Sequence, residues 1–422
     1  MKKEFYRKNR KKLIGEMQKD SIAIVFSGKP IHRSADEDYP FLVNRNFHYL
    51  TGLEEENIIL MIIKKEGKVE EELFIEQADP FKEKWVGKKY SKEEAENLSG
   101  VSTIKWVSTF EQRLTSLLDS YFFESIYLDL EKTQWDSKPG LGLSFAKEVK
   151  ERFPYLKIQN LYPILRDFRT IKEPEEVQKI QRAIDITKEG IHCLMKQMRP
   201  GLKTYQLEAY FDFAIRYAGA RDNAFETIAV PGEKAVILHY VKKQDIVKEG
   251  ELVLFDLGAD YQHYCGDISR TLPVSGKFKP RQKQFYNIVL KAGEEVIRAI
   301  KPGLPFRELN NIAKKVLAEE CRKIGLIQKE EEISKYYYHG VSHYLGLDTH
   351  DIGRRDRNLE PGMVLTVEPG LYVEEEKIGI RIEDDVLVTE NGCQVLSKEI
   401  PKKVEEIEEI MGSRECSRTN QS

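Results

Sequence analysis

Apolar positions along this chain fall into short runs that change character partway. Up to about residue 165, β-leaning runs at Ser21–Phe26, 58–63, 73–75 and 126–130 are separated by charged segments such as 91–98. Strands alternating with helices and turns are expected from that pattern. Phe5, Leu13, Ile14 and Met17 share one side of a packed N-terminal helix. Near residues 166–172 the pattern breaks, and Glu173-Pro174-Glu175-Glu176 has the composition of a helix start, with proline near the first helical position and acids against the positive end of the dipole. The divisions expected are an N-terminal α/β domain over 1–168, a second domain over 169–400, and a charged terminal helix with a disordered polar tail over 401–422.

Three apolar runs in the second domain end in carboxylates. Leu252 to Phe255 leads into Asp256, and strand character resumes around Ile268 after the turn residues between Gly258 and Gly266. A hairpin whose loop is Tyr261-Gln262 sets Asp256 opposite Asp267. Downstream, the run from Met363 to Val367 leads into Glu368, and the run from Ile378 leads into Glu383. A loop at Glu375-Glu376 sets those two glutamates opposite each other. Like charges facing across a ladder are destabilising, and buried carboxylates that close either share a proton or bind a cation.

The same domain nearly repeats itself. Arg199-Pro200-Gly201-Leu202 followed by Leu207 recurs as Lys301-Pro302-Gly303-Leu304 followed by Leu309, and His239-Tyr240 recurs as His343-Tyr344. The strand opening at Gly250 recurs from Gly362, which superposes Asp256 on Glu368 and Gly258 on Gly370. Because these features keep their order, a duplicated α/β unit with pseudo-two-fold symmetry is expected, with a site between its halves.

Length and composition narrow the class. At 422 residues the chain is long enough for two or three domains, and 41% hydrophobic content suffices to bury their cores. A net charge of −3 gives no bias toward nucleic acid or anionic lipid, so neither is expected as a partner. The five cysteines are scattered without a CxxC spacing, which argues against a disulfide framework or a thiolate zinc site and fits a reducing cytoplasm. The basic N-terminus is followed by no apolar signal segment, and the longest apolar run is too short to span a bilayer.

His339, His343 and His350 fall in one stretch whose glycines at 340, 346 and 353 predict a loop. Asp256, Asp267, Glu368 and Glu383 with one imidazole make an oxygen-rich site suited to two divalent ions such as Mn²⁺, Co²⁺, Fe²⁺ or Zn²⁺. Such a pair turns a bridging water into hydroxide near neutral pH and polarises a carbonyl, which makes metal-assisted hydrolysis the reaction class.

The elements FDLGADY, GDISRT, HGVSHYLGLDTHD, TVEPGLY and GIRIEDD resemble the proline-specific branch of the pita-bread metallopeptidases, and most of all the aminopeptidase P family. DYPFLVNRNFHYLTGLEEENIIL resembles that family's N-terminal domain. The resemblance implies a mixed α/β N-terminal domain capping a C-terminal pita-bread domain of duplicated halves. It implies as metal ligands Asp256, Asp267, His343, Glu368 and Glu383, with Asp267 and Glu383 bridging the ions. His239 and His350 would bind the substrate carbonyl and stabilise the tetrahedral intermediate. Glu368 would shuttle a proton to the leaving nitrogen, and Arg381 with Tyr372 would hold a ligand carboxylate in orientation.

The activity implied is an exopeptidase that releases the residue before a proline in second position. An Xaa-Pro bond has no N–H, and a pocket shaped for the ring would select it. Manganese is the ion expected, and the assembly a homodimer or homotetramer. The chain departs from the family pattern at Leu42-Val43, where Arg-Gln is common, and at Phe225, where tyrosine is frequent; all five ligand positions are kept. The alternatives are an Xaa-Pro dipeptidase, for which Arg354, Arg355 or Arg357 would hold the free carboxylate, and an inactive peptide-binding module, which predicts broken ligand positions.

Overall fold

The computed structural model describes every residue except Lys82, Lys132, Thr133, Ser137, His239, Val241 and 414–422. The chain divides into two compact units, Met1–Phe168 and Arg169–Ser422. The tail expected to be disordered lies, from residue 414 onward, outside the described residues, and the charged helix before it spans Val404–Gly412.

The first unit is built on a six-stranded sheet in the order Thr103–Trp106, Lys68–Ile75, Ile59–Lys65, Ser21–Phe26, Ser125–Leu128, Lys157–Asn160. Ile59–Lys65 runs antiparallel to both neighbours and the other pairings are parallel. Central strands read as unbroken apolar runs because helices cover both faces. Ile24, Met61, Phe74 and Leu128 pack with Phe110, Leu114 and Leu117 of helix Phe110–Ser120 and with Val149 of helix Leu141–Arg152. The N-terminal helix is Lys3–Glu16, and its buried Arg10 donates to the Leu50 carbonyl at 2.8 Å, the Ser99 carbonyl at 3.0 Å and Glu71 at 3.0 Å. The edge strands Thr103–Trp106 and Lys157–Asn160 had no apolar signature to announce them, being largely half-exposed to exposed.

The second unit opens at helix Pro174–Gln197, whose start is closed by a capping box between Glu173 and Glu176. Each half of this unit contributes a helix pair and then antiparallel strands. Helices Pro174–Gln197 and Thr204–Tyr217 precede strands Ile228–Pro231, Leu252–Leu257 and Ile268–Pro273. Helices Pro280–Ala299 and Glu308–Lys323 precede strands Val364–Val367, Asp384–Thr389 and Gly392–Val395, with Gly370–Val373 paired to Ile378–Arg381.

The two Pro-Gly turns behave as true counterparts. Gly201 and Gly303 adopt φ of +90° and +87°, the left-handed region that glycine enters without steric cost. The Gly201 N–H donates to the Val247 carbonyl at 2.9 Å, and Val247 donates back to Leu202 at 2.9 Å. Gly303 makes the same exchange with Leu359 at 2.9 Å, returned to Leu304 at 2.7 Å. In both halves the turn thus pins the residue that leads into the carboxylate-bearing strand. Among the described residues no helix is long and apolar enough to cross a membrane.

Candidate metal centre

Asp256 occupies the penultimate position of strand Leu252–Leu257, and its ladder partner is Ser269, with Leu257 opposite Ile268. The expected pairing of Asp256 with Asp267 is therefore corrected by two residues. The cause is the turn, which is Gln262-His263 and not Tyr261-Gln262: both residues have positive φ, 51° and 71°, and Tyr261 pairs with Tyr264. That is the geometry of a two-residue hairpin loop that follows strand twist, here fixed by the His263 N–H donating to Asp260 at 2.8 Å. Side chains alternate with period two, so a shift of two keeps both carboxylates on one face, now as diagonal neighbours. Gly258 and Gly266 cross so closely that a Cβ on Gly258 would stand 1.9 Å from the Gly266 carbonyl oxygen.

In the second half the expected register is present. Gly370 pairs with Arg381 and Val367 with Asp384, so Glu368 and Glu383 lie opposite each other where Pro369 interrupts the two ladders. The loop is longer than the Glu375-Glu376 pair expected, a 3-10 turn over Glu374–Glu376 closed by Lys377 at φ 58°. The halves are stitched together across this point: the Glu383 N–H donates to the Ser269 carbonyl at 3.1 Å, and Arg381 N–H to the Thr271 hydroxyl at 3.1 Å.

His343 lies in an irregular segment, as its glycines predict, and Tyr344 bridges to both Leu365 and Asp351. Its Nδ1 is 3.0 Å from the Tyr344 carbonyl, an acceptor only, so that nitrogen carries the proton and the Nε2 lone pair is free for a cation. Nε2 points at Asp267 at 3.3 Å and Glu368 at 3.7 Å. Ligand atoms of Asp267, His343 and Glu383, all buried, lie within 4.8 Å of one another. All five residues expected as ligands line one cleft of about 430 Å³, together with His350, His339, Phe225, Arg355 and Arg381. His350 stands edge-on to His343, ring centres 4.3 Å apart. His239 lies outside the described residues.

Electrostatics set the character of the cleft. Burial, reinforced by Asp256, Asp385 and Glu368, holds Asp267 well above the ordinary carboxylate range. Burial with Asp267, Glu368 and Asp256 does the same to Glu383, and burial pushes Glu368 up to about 7 against the pull of His343 and Arg381. Arg381 donates to Asp256 Oδ2 at 2.7 Å, to the Ser269 hydroxyl at 2.7 Å and to the Tyr372 hydroxyl at 3.2 Å. One guanidinium cannot neutralise four carboxylates. Asp256 Oδ1 is buried and makes no hydrogen bond to the described residues. Crowded oxygens, an imidazole with a free lone pair and an orphaned carboxylate oxygen fit divalent cations as the missing partners.

Residues 178–390 match the model of metallopeptidase family M24, and residues 6–127 match that of the aminopeptidase P N-terminal domain. The chain belongs to metallopeptidase family M24. It is 35% identical to Xaa-Pro aminopeptidase of Escherichia coli over 97% of this chain and 98% of that protein. In fold it is similar to a Bacillus anthracis protein provisionally named as an aminopeptidase P, with a TM-score of 0.97 and 49% identity over 98% and 99% of the two chains. An Escherichia coli aminopeptidase P variant solved in complex with substrate superposes with a TM-score of 0.90 and 33% identity, covering 99% of each chain. This M24 chain is a metallo-aminopeptidase, a hydrolase that acts on peptides with divalent metal ions.

Of the three arginines weighed for a carboxylate-binding role, Arg354 and Arg357 pair with Asp356 and Glu360, and only Arg355 lines the cleft. Sequence reasoning gave His339 no role, yet it faces the cleft with Nε2 2.8 Å from the Tyr372 hydroxyl and Nδ1 3.7 Å from Glu368. Tyr372 accepts from Arg381, so its own proton goes to His339, and the His339 Nδ1 proton goes to the Gly340 carbonyl at 2.8 Å. Its place in the histidine-rich stretch was the available signal. Ser269 was missed because its significance depends on the true hairpin register.

Proposed function

We propose that the protein is an Xaa-Pro aminopeptidase, releasing the N-terminal residue from peptides with proline in second position. What supports this is the meeting in one cleft of Asp256, Asp267, His343, Glu368 and Glu383, in a chain whose relatives carry that name over nearly their whole length. Asp256, Asp267, His343, Glu368 and Glu383 would hold two ions; manganese is the ion we favour, cobalt, zinc and iron(II) being the alternatives. When bound, the ions activate water at neutral pH and polarise the scissile carbonyl.

The chain's own residues supply the rest. His350, beside His343 at the cleft wall, donates to the carbonyl oxygen as charge develops there, and His239 is assigned the same task. Glu368, between His343 and His339, carries a proton to the proline nitrogen. Arg381 holds Asp256 in orientation, with Tyr372 bracing it. Leu238, Phe225 and Ile228 give the cleft an apolar side that suits a pyrrolidine ring.

The domain limits we assign are 1–168, 169–400 and 401–422. A cytoplasmic homodimer or homotetramer is the form we expect. The test is hydrolysis of Ala-Pro-Ala, its N-acetylated form and Ala-Pro by protein stripped with chelator and reloaded with Mn²⁺. Release of alanine from the free tripeptide alone is the expected result. Cleavage of the dipeptide without the tripeptide would establish the dipeptidase in its place, with Arg355 as the carboxylate partner.

A further inference from the structure

Ser269 stands directly opposite Asp256 in the ladder and is fully buried. Its hydroxyl makes two short hydrogen bonds, one with Arg381 Nε at 2.7 Å and one with Glu383 Oε2 at 2.7 Å. A guanidinium only donates, so the hydroxyl must accept from Arg381, and its single proton must then go to Glu383. The direction of the relay is thereby determined: Arg381 to Ser269 to Glu383.

We propose that Ser269 is a positioning residue for the metal centre, passing the orientation of Arg381 to Glu383 and so setting the affinity of the cleft for divalent ions. The terminal torsion of a glutamate is broad and roughly two-fold, and nothing in the side chain itself holds the carboxylate at one angle. A buried hydrogen bond to one oxygen removes that freedom. Arg381 therefore holds two carboxylates from the two halves of the domain, Asp256 directly through Nη2 at 2.7 Å and Glu383 through the serine. The main chain reinforces the arrangement, since the Glu383 N–H donates to the Ser269 carbonyl at 3.1 Å. Hydrogen-bond partners of metal ligands typically change metal affinity by about 10–100-fold when removed.

The inference rests on the dinuclear reading of the cleft, and its test separates the two. Metal-free native protein and the variants Ser269→Thr and Ser269→Val are titrated with Mn²⁺ by calorimetry, and the melting temperature of each metal-free protein is recorded alongside. Threonine and valine have the same shape and suit a strand equally, but only threonine keeps the hydroxyl. S269T is expected to bind Mn²⁺ like the native protein and S269V about 10–100-fold more weakly, with metal-free melting temperatures that do not account for the gap. Equal Mn²⁺ affinity in S269V and S269T, at whatever level, overturns the role of the hydroxyl while leaving the dinuclear reading intact. Absence of Mn²⁺ binding by the native protein overturns both.

Discussion

Glu176 offers a direct test of how the second unit handles buried charge. It sits in the first turn of helix Pro174–Gln197, 1% exposed, with Oε1 accepting from the Tyr264 hydroxyl at 3.0 Å and Oε2 from the Glu173 N–H at 2.9 Å. Burial pushes its carboxyl from 4.5 up to about 7, although the Glu173 N–H, Lys172 and Tyr264 all pull the other way. Between those two values the folded chain binds more protons at this site than the unfolded chain. The stability contributed by this group is therefore full below about 4.5, falls as pH rises, and is gone above about 7. A shift of that size corresponds to a deficit of about 3 kcal/mol at pH 8.5 and about 1.5 kcal/mol at pH 5.5. Glu176→Gln keeps an acceptor for the Glu173 N–H and offers its amide to the tyrosine oxygen, so it removes the deficit with little else. The variant should gain about 2 kcal/mol more at pH 8.5 than at pH 5.5, a difference of about 4–8 °C in melting temperature for a domain of this size. Scanning calorimetry of the metal-free protein at both pH values measures it. A shift that is the same at both pH values would refute the account of Glu176 as a buried carboxyl that resists ionisation.

Two further substitutions probe the surroundings of the cleft. Asp351 is buried between Arg169 and Lys172, the latter 3.0 Å away, and Asp351→Asn leaves buried Lys172 without its anion and Arg169 with only the part-exposed Asp348 at 2.7 Å; we expect a loss of about 3–5 kcal/mol, read by denaturant unfolding, and a loss below about 1 kcal/mol, the scale of an exposed pair, would contradict the reading of Asp351 as the buried anion shared by two cations. Arg381→Lys replaces a fork that serves Asp256, Ser269 and Tyr372 with a single ammonium. Mn²⁺ affinity measured by calorimetry should fall by about 10–100-fold, and an unchanged value would remove Arg381 from the support of the centre.

Much of the centre was legible in the residues, for reasons the ladders make clear. Glu368 and Glu383 could be paired correctly from the chain alone because the register is continuous through both ladders, even though the loop between them is longer than expected. Asp256 and Asp267 were brought together by a register in error by two, and survived because an even slip preserves the face. What could not be read was the turn itself, since Gln262 and His263 adopt positive φ without glycine, held by a hydrogen bond from the His263 N–H to Asp260 that no local propensity announces. The edge strands of the first unit were likewise silent, because a half-exposed edge needs no apolar run.

The duplication explains why the centre forms at all. Each half ends a buried strand in a carboxylate and alone could not neutralise it; Asp256 and Asp267 come from one half, Glu368 and Glu383 from the other, and the stitching of residues 269–271 to 381–383 brings them together. The fold concentrates like charge where two sheets meet, and Arg381 opposes it at Asp267, Glu368 and Glu383 alike. Folding such a cluster without cations costs desolvation that the single guanidinium does not repay. Metal binding should therefore be coupled to the stability of the second unit, with Mn²⁺ raising its melting temperature and leaving that of the first unit unchanged. Calorimetry with and without Mn²⁺ resolves the two transitions, and a rise confined to the first unit would contradict the placement of the ions between the halves of the second.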